Sequence, residues 1–364
     1  MARGHGGRNP LKQNWSGSQD SRHSHRFQMV QSKAIRSHLD QLVKPLGSLG
    51  QWETLAERLC TIQRSLAPMV RPAELIIFAA DHGVVESGVT LWPSMVTTAM
   101  IEQIAQGRSA SAALSQLYQI DYRVIDMGSV TAPRFTHPKI SLRRIAPGTK
   151  DLSKEPAMTL HEFRQAMSIG VDEARMTLLR GAKVVIAGEM GIGNSTSASC
   201  LARLLADVPM DQVVGTGAGA NELSLTKKRA AIQVATDHVL ERCGRTVDEA
   251  ALAAVSGFEI VAIAGFFVQC AKQKQTILLD GMIATAGALI AQQFYPEVVE
   301  HMIAAHESEE PAHAQMLEKL KLVPMLKWNM RLGEGTGALA LFPLLEGAVA
   351  WVTQMAKIDE IKLT

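Results

Sequence analysis

Aromatic residues and a surplus of either charge are both scarce in this sequence of 364 residues. Phe, Trp and Tyr together make up 5% of it, which is too few for a surface on which single-stranded bases stack. The 37 Lys and Arg residues exceed the 35 Asp and Glu residues by only two, so no strongly basic face is available for a phosphate backbone. We therefore predict that the protein does not bind nucleic acid.

Cysteine is also rare, and long apolar runs are missing. The four cysteines are widely spaced and form no Cys-x-x-Cys pair, so neither a zinc ribbon nor a redox motif is predicted. Apolar stretches such as residues 260–271 and 281–290 are shorter than the ~20 residues that a membrane helix requires. We expect a cytoplasmic protein with reduced thiols and no membrane segment.

The composition is otherwise that of a globular protein, with 47% hydrophobic and 20% charged residues. At about 150 residues per domain, the length suggests two units. Residues 1–26 are polar and rich in Gly, Ser and His, and we interpret them as a mobile tail that is dispensable. We expect a small helical domain from residues 27–70 and 338–364, and a large α/β catalytic domain over residues 71–337.

Short apolar runs that end in Gly or a polar residue recur along the chain. They predict strands over residues 75–80, 122–128, 183–188, 276–281 and 302–306. Segments rich in Ala, Leu and Met predict helices between and after them, over residues 95–106, 110–118, 156–179, 227–242, 248–273, 282–293 and 337–358. This alternation predicts a doubly wound α/β fold, a mainly parallel sheet with helices on both faces, whose ligands bind at the carboxyl ends of the strands.

The densest functional signal is residues 188–197, Gly-Glu-Met-Gly-Ile-Gly-Asn-Ser-Thr-Ser, between a predicted strand and a helix. Backbone N–H groups at such a helix start favour a phosphate, with help from Asn, Ser and Thr side chains. The order of the glycines matches neither a dinucleotide fingerprint nor a Walker A loop. The alternative is a tight turn with Asn194 or Ser195 as helix N-cap. The candidate phosphate-binding residues are Gly191, Gly193, Asn194, Ser195 and Thr196.

Two further glycine loops follow. The first contains Gly215, Gly217 and Gly219, and Lys228 lies close behind it, which favours a phosphate again. In the second, Glu334 stands between Gly333 and Gly335. Because Glu189 lies inside another glycine loop, the two glutamates predict a carboxylate pair that faces one ligand, as acid/base and glycosyl-transfer chemistry require.

Histidines at two predicted strand ends offer a metal or triad alternative. Asp81 precedes His82, and His306 precedes Glu307, but the second His of a zinc-binding helix is missing after His306. There is also no Gly-x-Ser-x-Gly elbow. We expect no metal, and we interpret these histidines as structural or orienting residues.

Eight segments together resemble the family of nicotinate-nucleotide:dimethylbenzimidazole phosphoribosyltransferases, which assemble the lower ligand of cobalamin. They occur in family order at residues 44–49, 80–84, 188–196, 215–219, 257–260, 279–281, 306–310 and 331–337. The resemblance implies transfer of the phosphoribosyl group of nicotinate mononucleotide to 5,6-dimethylbenzimidazole, which gives α-ribazole 5′-phosphate and nicotinate. It implies no cofactor, a Rossmann-like large domain, a small helical domain from both chain ends, and a homodimer.

The same resemblance implies roles for single residues. Glu334 matches the general base, Glu189 the second carboxylate and Lys228 a site lysine, while the glycines and residues 194–196 match segments that line the nucleotide site. A base pocket is implied around Asp81, His82, Trp92, Met100 and Leu332. Trp92 and Met100 are larger and less polar than the residues that the family often has there, so the accepted base could be another benzimidazole or a purine. The alternative is that Trp92 only packs.

Two other functions account for only part of the sequence. A nucleotide-binding regulatory protein without turnover would keep the phosphate loops but has no need of a base at Glu334. A dinucleotide-dependent oxidoreductase would require Gly-x-Gly-x-x-Gly followed by an acidic residue, which is not found. Both are less favoured than the transferase.

Overall fold

The structure of the chain is a computed structural model. It describes residues 33–215, 217, 219, 221–244 and 246–361. The predicted tail, residues 1–26, lies outside the described residues.

The centre of the fold is a parallel sheet of six strands in the order β3-β2-β1-β4-β5-β6. Every neighbouring pair is parallel. The doubly wound α/β prediction is therefore confirmed, although β3 was not predicted, because three partly exposed residues make no apolar run. The strands are β1 Ala73–Ala80, β2 Asp121–Gly128, β3 Ile140–Leu142, β4 Val184–Met190, β5 Thr276–Leu279 and β6 Met302–Ala304.

Helices connect the strands. A helix that includes residues 33–40 is α1. The others are α2 Gln51–Gln63, α3 Met95–Ala105, α4 Ala110–Leu117, α5 Leu160–Leu179, α6 Asn194–Leu205, α7 Glu222–Cys243, α8 Glu249–Val255, α9 Phe258–Lys272, α10 Met282–Phe294, α11 His313–Lys319 and α12 Thr336–Gln354. Short 3₁₀ turns cover Gly83–Ser87, Pro296–His301 and Ile358–Glu360.

Two helix predictions need correction. The single helix predicted over residues 248–273 is wrong, because Ser256 and Gly257 are extended and separate α8 from α9. Helix α7 begins before the predicted residue 227, because the Asn221 side chain accepts a hydrogen bond from the Ser224 N–H and caps the helix at that point.

The sheet separates two apolar cores. On β1, Ile76 and Phe78 face the core that holds α5, α9 and α10, whereas Leu75 and Ile77 face the core that holds α2 and α12. All of these side chains are fully buried. Residues of a strand alternate between its two faces, so a strand covered on both sides reads as one continuous apolar run.

The helices near the two ends of the described chain pack together on one face of the sheet. The Trp52 indole N–H of α2 donates a hydrogen bond to the Leu344 carbonyl of α12. Both helices belong to the same apolar core as Leu75 and Ile77. The division into domains at residues 70/71 and 337/338 stays a prediction, and these helices share their core with the sheet.

Helix α12 is long and apolar enough to cross a membrane by length and composition alone, but half of its apolar stretch is buried in the structure. Leu339, Phe342 and Leu345 are fully buried in the core against the sheet. Pro343 and Glu346 interrupt its apolar run, so the sequence shows no continuous apolar stretch of membrane-spanning length there.

Candidate active site

An open cavity lies at the carboxyl ends of β4, β5 and β6, where a doubly wound sheet binds its ligands. Its volume, counted with the open solvent at its mouth, is about 910 Å³. Ten predicted site residues line it: Glu189, Gly191, Gly193, Asn194, Ser195, Thr196, Gly217, Lys228, Leu332 and Gly333. The other lining residues include Gly281, His306, Ser308, Glu310 and Arg331, to which the sequence interpretation gave no part in the transfer.

The loop after β4 brings backbone close to the cavity. At Gly191 a side chain would collide with the Ala80 carbonyl oxygen, so only glycine fits. Gly193 has a φ of +95° and is itself the N-cap of α6, with no side-chain cap bond. The alternative that Asn194 or Ser195 caps this helix is therefore wrong. Both side chains line the cavity, while the N–H groups of Asn194 and Thr196 donate to the carbonyls of Gly191 and Gly193 over 3.2 and 3.0 Å.

Glu189 leaves β4 with a buried side chain that lines the cavity. Its carboxylate accepts a hydrogen bond from the Asn194 amide. Burial, and to a smaller extent the negative charges of Asp280 and Glu259, raise the pKa of Glu189 to about 8. Without a ligand, the neutral form of Glu189 is favoured at pH 7, and a cation bound beside it would favour the ionised form.

Lys228 closes the opposite side of the cavity with a buried ammonium group. Its Nζ donates to the Ser195 hydroxyl over 3.1 Å and to the Gly215 carbonyl over 2.9 Å. Burial lowers the pKa of Lys228, and the nearby charge of Glu310 opposes this shift. A phosphate placed here would supply the anionic partner that the buried ammonium needs.

The third glycine loop holds Glu334 in a left-handed backbone conformation, with a φ of +58° between Gly333 at +87° and Gly335 at +81°. The Asp280 carboxylate accepts hydrogen bonds from the N–H groups of Gly335 and Ala338, over 3.1 and 3.0 Å. These bonds attach the loop and the start of α12 to the end of β5. They support Glu334 in a conformation that a non-glycine residue rarely adopts.

The two predicted glutamates meet at this loop. The Glu334 N–H donates to the Glu189 carbonyl over 3.2 Å, and a side chain at Gly333 would collide with the Glu189 carboxylate. The Glu334 side chain is buried next to the cavity-lining Gly333, without lining the cavity itself. The structure thus brings Glu189 and Glu334 together at one loop, beside a cavity that also contains a helix N-terminus and a buried lysine.

Comparison with known proteins settles the family. The model of a family described as phosphoribosyltransferase matches residues 26–362. The chain belongs to this family. It is an enzyme, and the comparisons lend no support to the regulatory-protein alternative.

Several curated relatives resemble this phosphoribosyltransferase over nearly its whole length. The nicotinate-nucleotide–dimethylbenzimidazole phosphoribosyltransferase of Ralstonia nicotianae is 37% identical over 333 residues, which cover 91% of this chain and 93% of the relative. The enzyme of the same name from Pseudomonas putida is 37% identical over 327 residues, 89% of this chain and 92% of the relative. The crystal structure of CobT from Thermus thermophilus superimposes with a TM-score of 0.86 at 36% identity, over 91% of this chain and 98% of that one.

Other predicted site residues of this phosphoribosyltransferase lie outside the cavity. Gly215 contributes only its carbonyl to Lys228, whereas Gly219 does not line the cavity and its φ is +116°. Gly335 does not line the cavity either, and its N–H donates the hydrogen bond to Asp280 that supports the loop. These glycines shape the loops rather than the cavity wall.

Asp81 and His82, predicted for the base pocket, have internal partners instead. Asp81 is fully buried and accepts hydrogen bonds from the Thr97 hydroxyl over 2.6 Å and from the Val130 N–H over 2.7 Å. His82 is buried between Ser197, at 3.0 Å, and Glu259, at 2.7 Å. Neither lines the cavity, and both support the elements around it.

The remaining base-pocket residues differ in position. Trp92 is 49% exposed and Met100 is partly buried on α3, and neither lines the cavity, whereas the exposed Leu332 does. A contact between these three side chains and a base stays a prediction.

Asp280, His306, Glu310 and Arg331 are site residues for which the sequence interpretation proposed no part in the transfer. The His306 Nε2 lies 3.8 Å from the Asp280 carboxylate, and the Gly217 N–H donates to Glu310 over 2.8 Å. Asp280 directly follows β5 and His306 lies two residues after β6, and polar residues at the carboxyl ends of parallel strands are a signal that could have identified both. Among the described residues, no group of three or more His, Cys, Asp or Glu side chains could hold a metal ion.

Proposed function

We propose that this phosphoribosyltransferase transfers the phosphoribosyl group of nicotinate mononucleotide to 5,6-dimethylbenzimidazole, which yields α-ribazole 5′-phosphate and nicotinate. The relatives from Ralstonia nicotianae and Pseudomonas putida carry the name of this reaction. The observation that supports it most directly is the meeting of Glu189 and Glu334 beside a buried lysine and a helix N-terminus.

The 5′-phosphate of the donor binds at the start of α6. Ser195, Thr196 and Gly217 line this side of the cavity, and the Lys228 ammonium lies 3.1 Å from the Ser195 hydroxyl. Backbone N–H groups at a helix start and a buried ammonium together favour a dianion. A donor that lacks the phosphate leaves Lys228 buried without an anionic ligand, so nicotinate riboside should bind much more weakly than the nucleotide.

Departure of nicotinate needs no general acid. The nitrogen that bonds to the ribose is a cationic pyridinium nitrogen, and it becomes neutral as the bond breaks. Positive charge then develops on the ribose. Glu189 lines the cavity, and once ionised its carboxylate stabilises that charge.

The incoming base needs a proton acceptor. As one benzimidazole nitrogen attacks the ribose, the N–H of the other becomes acidic, and a carboxylate that accepts this hydrogen bond can remove the proton. Glu334 is the residue we assign to this step. Its loop is fixed by Asp280, so the carboxylate is held in place before the base arrives.

Nicotinate release from nicotinate mononucleotide in the presence of dimethylbenzimidazole tests the proposal. Glu334→Gln keeps the size of the side chain but removes the proton acceptor, so turnover should fall by about 10²- to 10⁴-fold while the nucleotide still binds. Glu318→Gln makes the same change at an exposed position of α11 and should leave turnover unchanged. Turnover of Glu334→Gln near that of the unchanged enzyme would refute the assignment.

We also propose that residues around Trp92 and Met100 select the base. The two side chains are apolar and lie on the loop before α3 and on α3 itself. A panel of benzimidazoles and purines tests this, with Trp92→Ser and Met100→Gln compared with the unchanged enzyme. An altered order of preference supports the pocket, whereas an unchanged order shows that the two side chains only pack.

A homodimer in the cytoplasm completes the proposal. Leu91, Trp92 and Met95 are all exposed apolar side chains close together in the chain, which is typical of a surface that another subunit covers. Light scattering on the purified protein should give twice the chain mass of 39.4 kDa. A mass equal to one chain would contradict the dimer.

A further inference from the structure

Ser111 makes a contact with the proposed general base, and no step of the reaction described above involves it. Its hydroxyl donates a hydrogen bond to Glu334 Oε2 over 2.6 Å, and both side chains are buried. The two residues are 223 positions apart in the chain, and the fold brings them together. Helix α4, which carries Ser111, otherwise packs against α12 and β2 and has no side chain in the cavity.

A second serine fixes the direction of this hydrogen bond. The Ser109 and Ser111 hydroxyl oxygens lie 2.8 Å apart, and each hydroxyl has one proton to donate. An ionised carboxylate only accepts, so the Ser111 proton goes to Glu334 and Ser111 must accept from Ser109. The Ser109 oxygen in turn accepts from the Ala112 N–H over 3.1 Å, as N-cap of α4.

We propose that Ser111 is a positioning residue for the phosphoribosyl transfer, which holds one oxygen of the Glu334 carboxylate so that the other faces the N–H of the incoming base. This inference rests on the proposed role of Glu334 as general base. The chain of bonds from the α4 N-terminus through Ser109 and Ser111 sets the carboxylate plane before the base binds.

Helix α4 also provides a matched control. Ser115 lies one helical turn after Ser111, is equally buried, and its hydroxyl has no hydrogen-bond partner. Ser111→Ala and Ser115→Ala thus delete the same atom from the same helix at the same burial. Ser111→Ala loses the contacts to Glu334 and to Ser109, whereas Ser115→Ala loses no hydrogen bond.

The experiment measures kcat, the KM for nicotinate mononucleotide and the melting temperature of both variants. Ser111→Ala should lower kcat by about 10- to 100-fold, the usual range for a hydrogen bond to a charged group, with an unchanged KM for nicotinate mononucleotide. Ser115→Ala should leave kcat unchanged, and Ser111→Thr, which keeps the hydroxyl, should restore most of the rate.

A Ser111→Ala variant with kcat within twofold of Ser115→Ala, or one whose lost rate Ser111→Thr does not restore, overturns the inference. Ser111→Cys has nearly the volume of serine but donates weakly, and it gives the same comparison if the alanine variant does not fold. Glu334→Gln is measured in parallel. If Glu334→Gln loses turnover and Ser111→Ala does not, the positioning role fails alone, whereas full turnover of Glu334→Gln means that the general-base assignment fails.

Discussion

Binding of nicotinate mononucleotide should expel a proton from Glu189. In the empty site burial, together with the charges of Asp280, Glu259 and Glu334, raises the pKa of Glu189 to about 8, while the Asn194 amide opposes this shift. About 90% of the Glu189 carboxyls are then protonated at pH 7. The pyridinium of the donor favours the ionised form, and a return toward the ordinary value of about 4.3 would release about 0.9 proton per molecule bound at pH 7.

The sign of the pH dependence follows from this release. Because the bound form holds fewer protons than the free form, the affinity for nicotinate mononucleotide should rise with pH up to about 8 and then level off. Between pH 7 and pH 8 the ionised fraction of free Glu189 grows about fivefold, and Kd should fall by the same factor. The donor phosphate is almost fully ionised in this range, so it contributes little.

Calorimetry in two buffers of different ionisation enthalpy measures the proton release directly. The unchanged enzyme should release about 0.9 proton at pH 7, whereas Glu189→Gln, which cannot ionise, should release almost none and should show a flat Kd between pH 7 and 8. Equal heats in both buffers for the unchanged enzyme would refute this reasoning. So would the same proton release from Glu189→Gln.

Three further predictions concern the loops and the fold. Lys228→Met should remove most of the difference in affinity between nicotinate mononucleotide and its riboside, as calorimetry with both ligands would show. Gly333→Ala should lower both turnover and melting temperature, because its side chain would collide with the Glu189 carboxylate in a backbone with φ of +87°, and wild-type values of both would contradict this. Asp280→Ala should lower the melting temperature, since two buried N–H groups at the start of α12 would lose their acceptor, at about 1 to 3 kcal/mol for each.

The parts of the fold that the sequence predicted are those in which local pattern and burial agree. The apolar run of β1 is buried on both faces, so its hydrophobicity is continuous and its end at Asp81 is plain. The break between α8 and α9 was missed because the residues on both sides are apolar and helix-forming, and only Ser256 and Gly257 mark it. Tertiary packing, not propensity, decides such a break.

Only part of the candidate site could be predicted from the sequence. The glycine loops indicated Glu189 and Lys228, and both line the cavity. The sequence could not show that the Asp81 carboxylate accepts hydrogen bonds from Thr97 and Val130. Nor could it show that Ser111 donates a hydrogen bond to Glu334. Such contacts join residues that are far apart in the chain and depend on the relative placement of whole helices.

The position of α12 has a consequence for how the enzyme is made. This helix starts two residues after Glu334, covers Leu75 and Ile77 of β1, and follows every strand of the sheet in the chain. A ribosome therefore completes the whole sheet while one of its faces still lacks this cover, and the nascent chain exposes apolar surface that favours association until α12 emerges. Glu334 emerges just before α12, but Ala338 of α12 donates one of the two hydrogen bonds to Asp280 that support the Glu334 loop. A chain released before α12 would therefore lack part of this support and would be prone to aggregate.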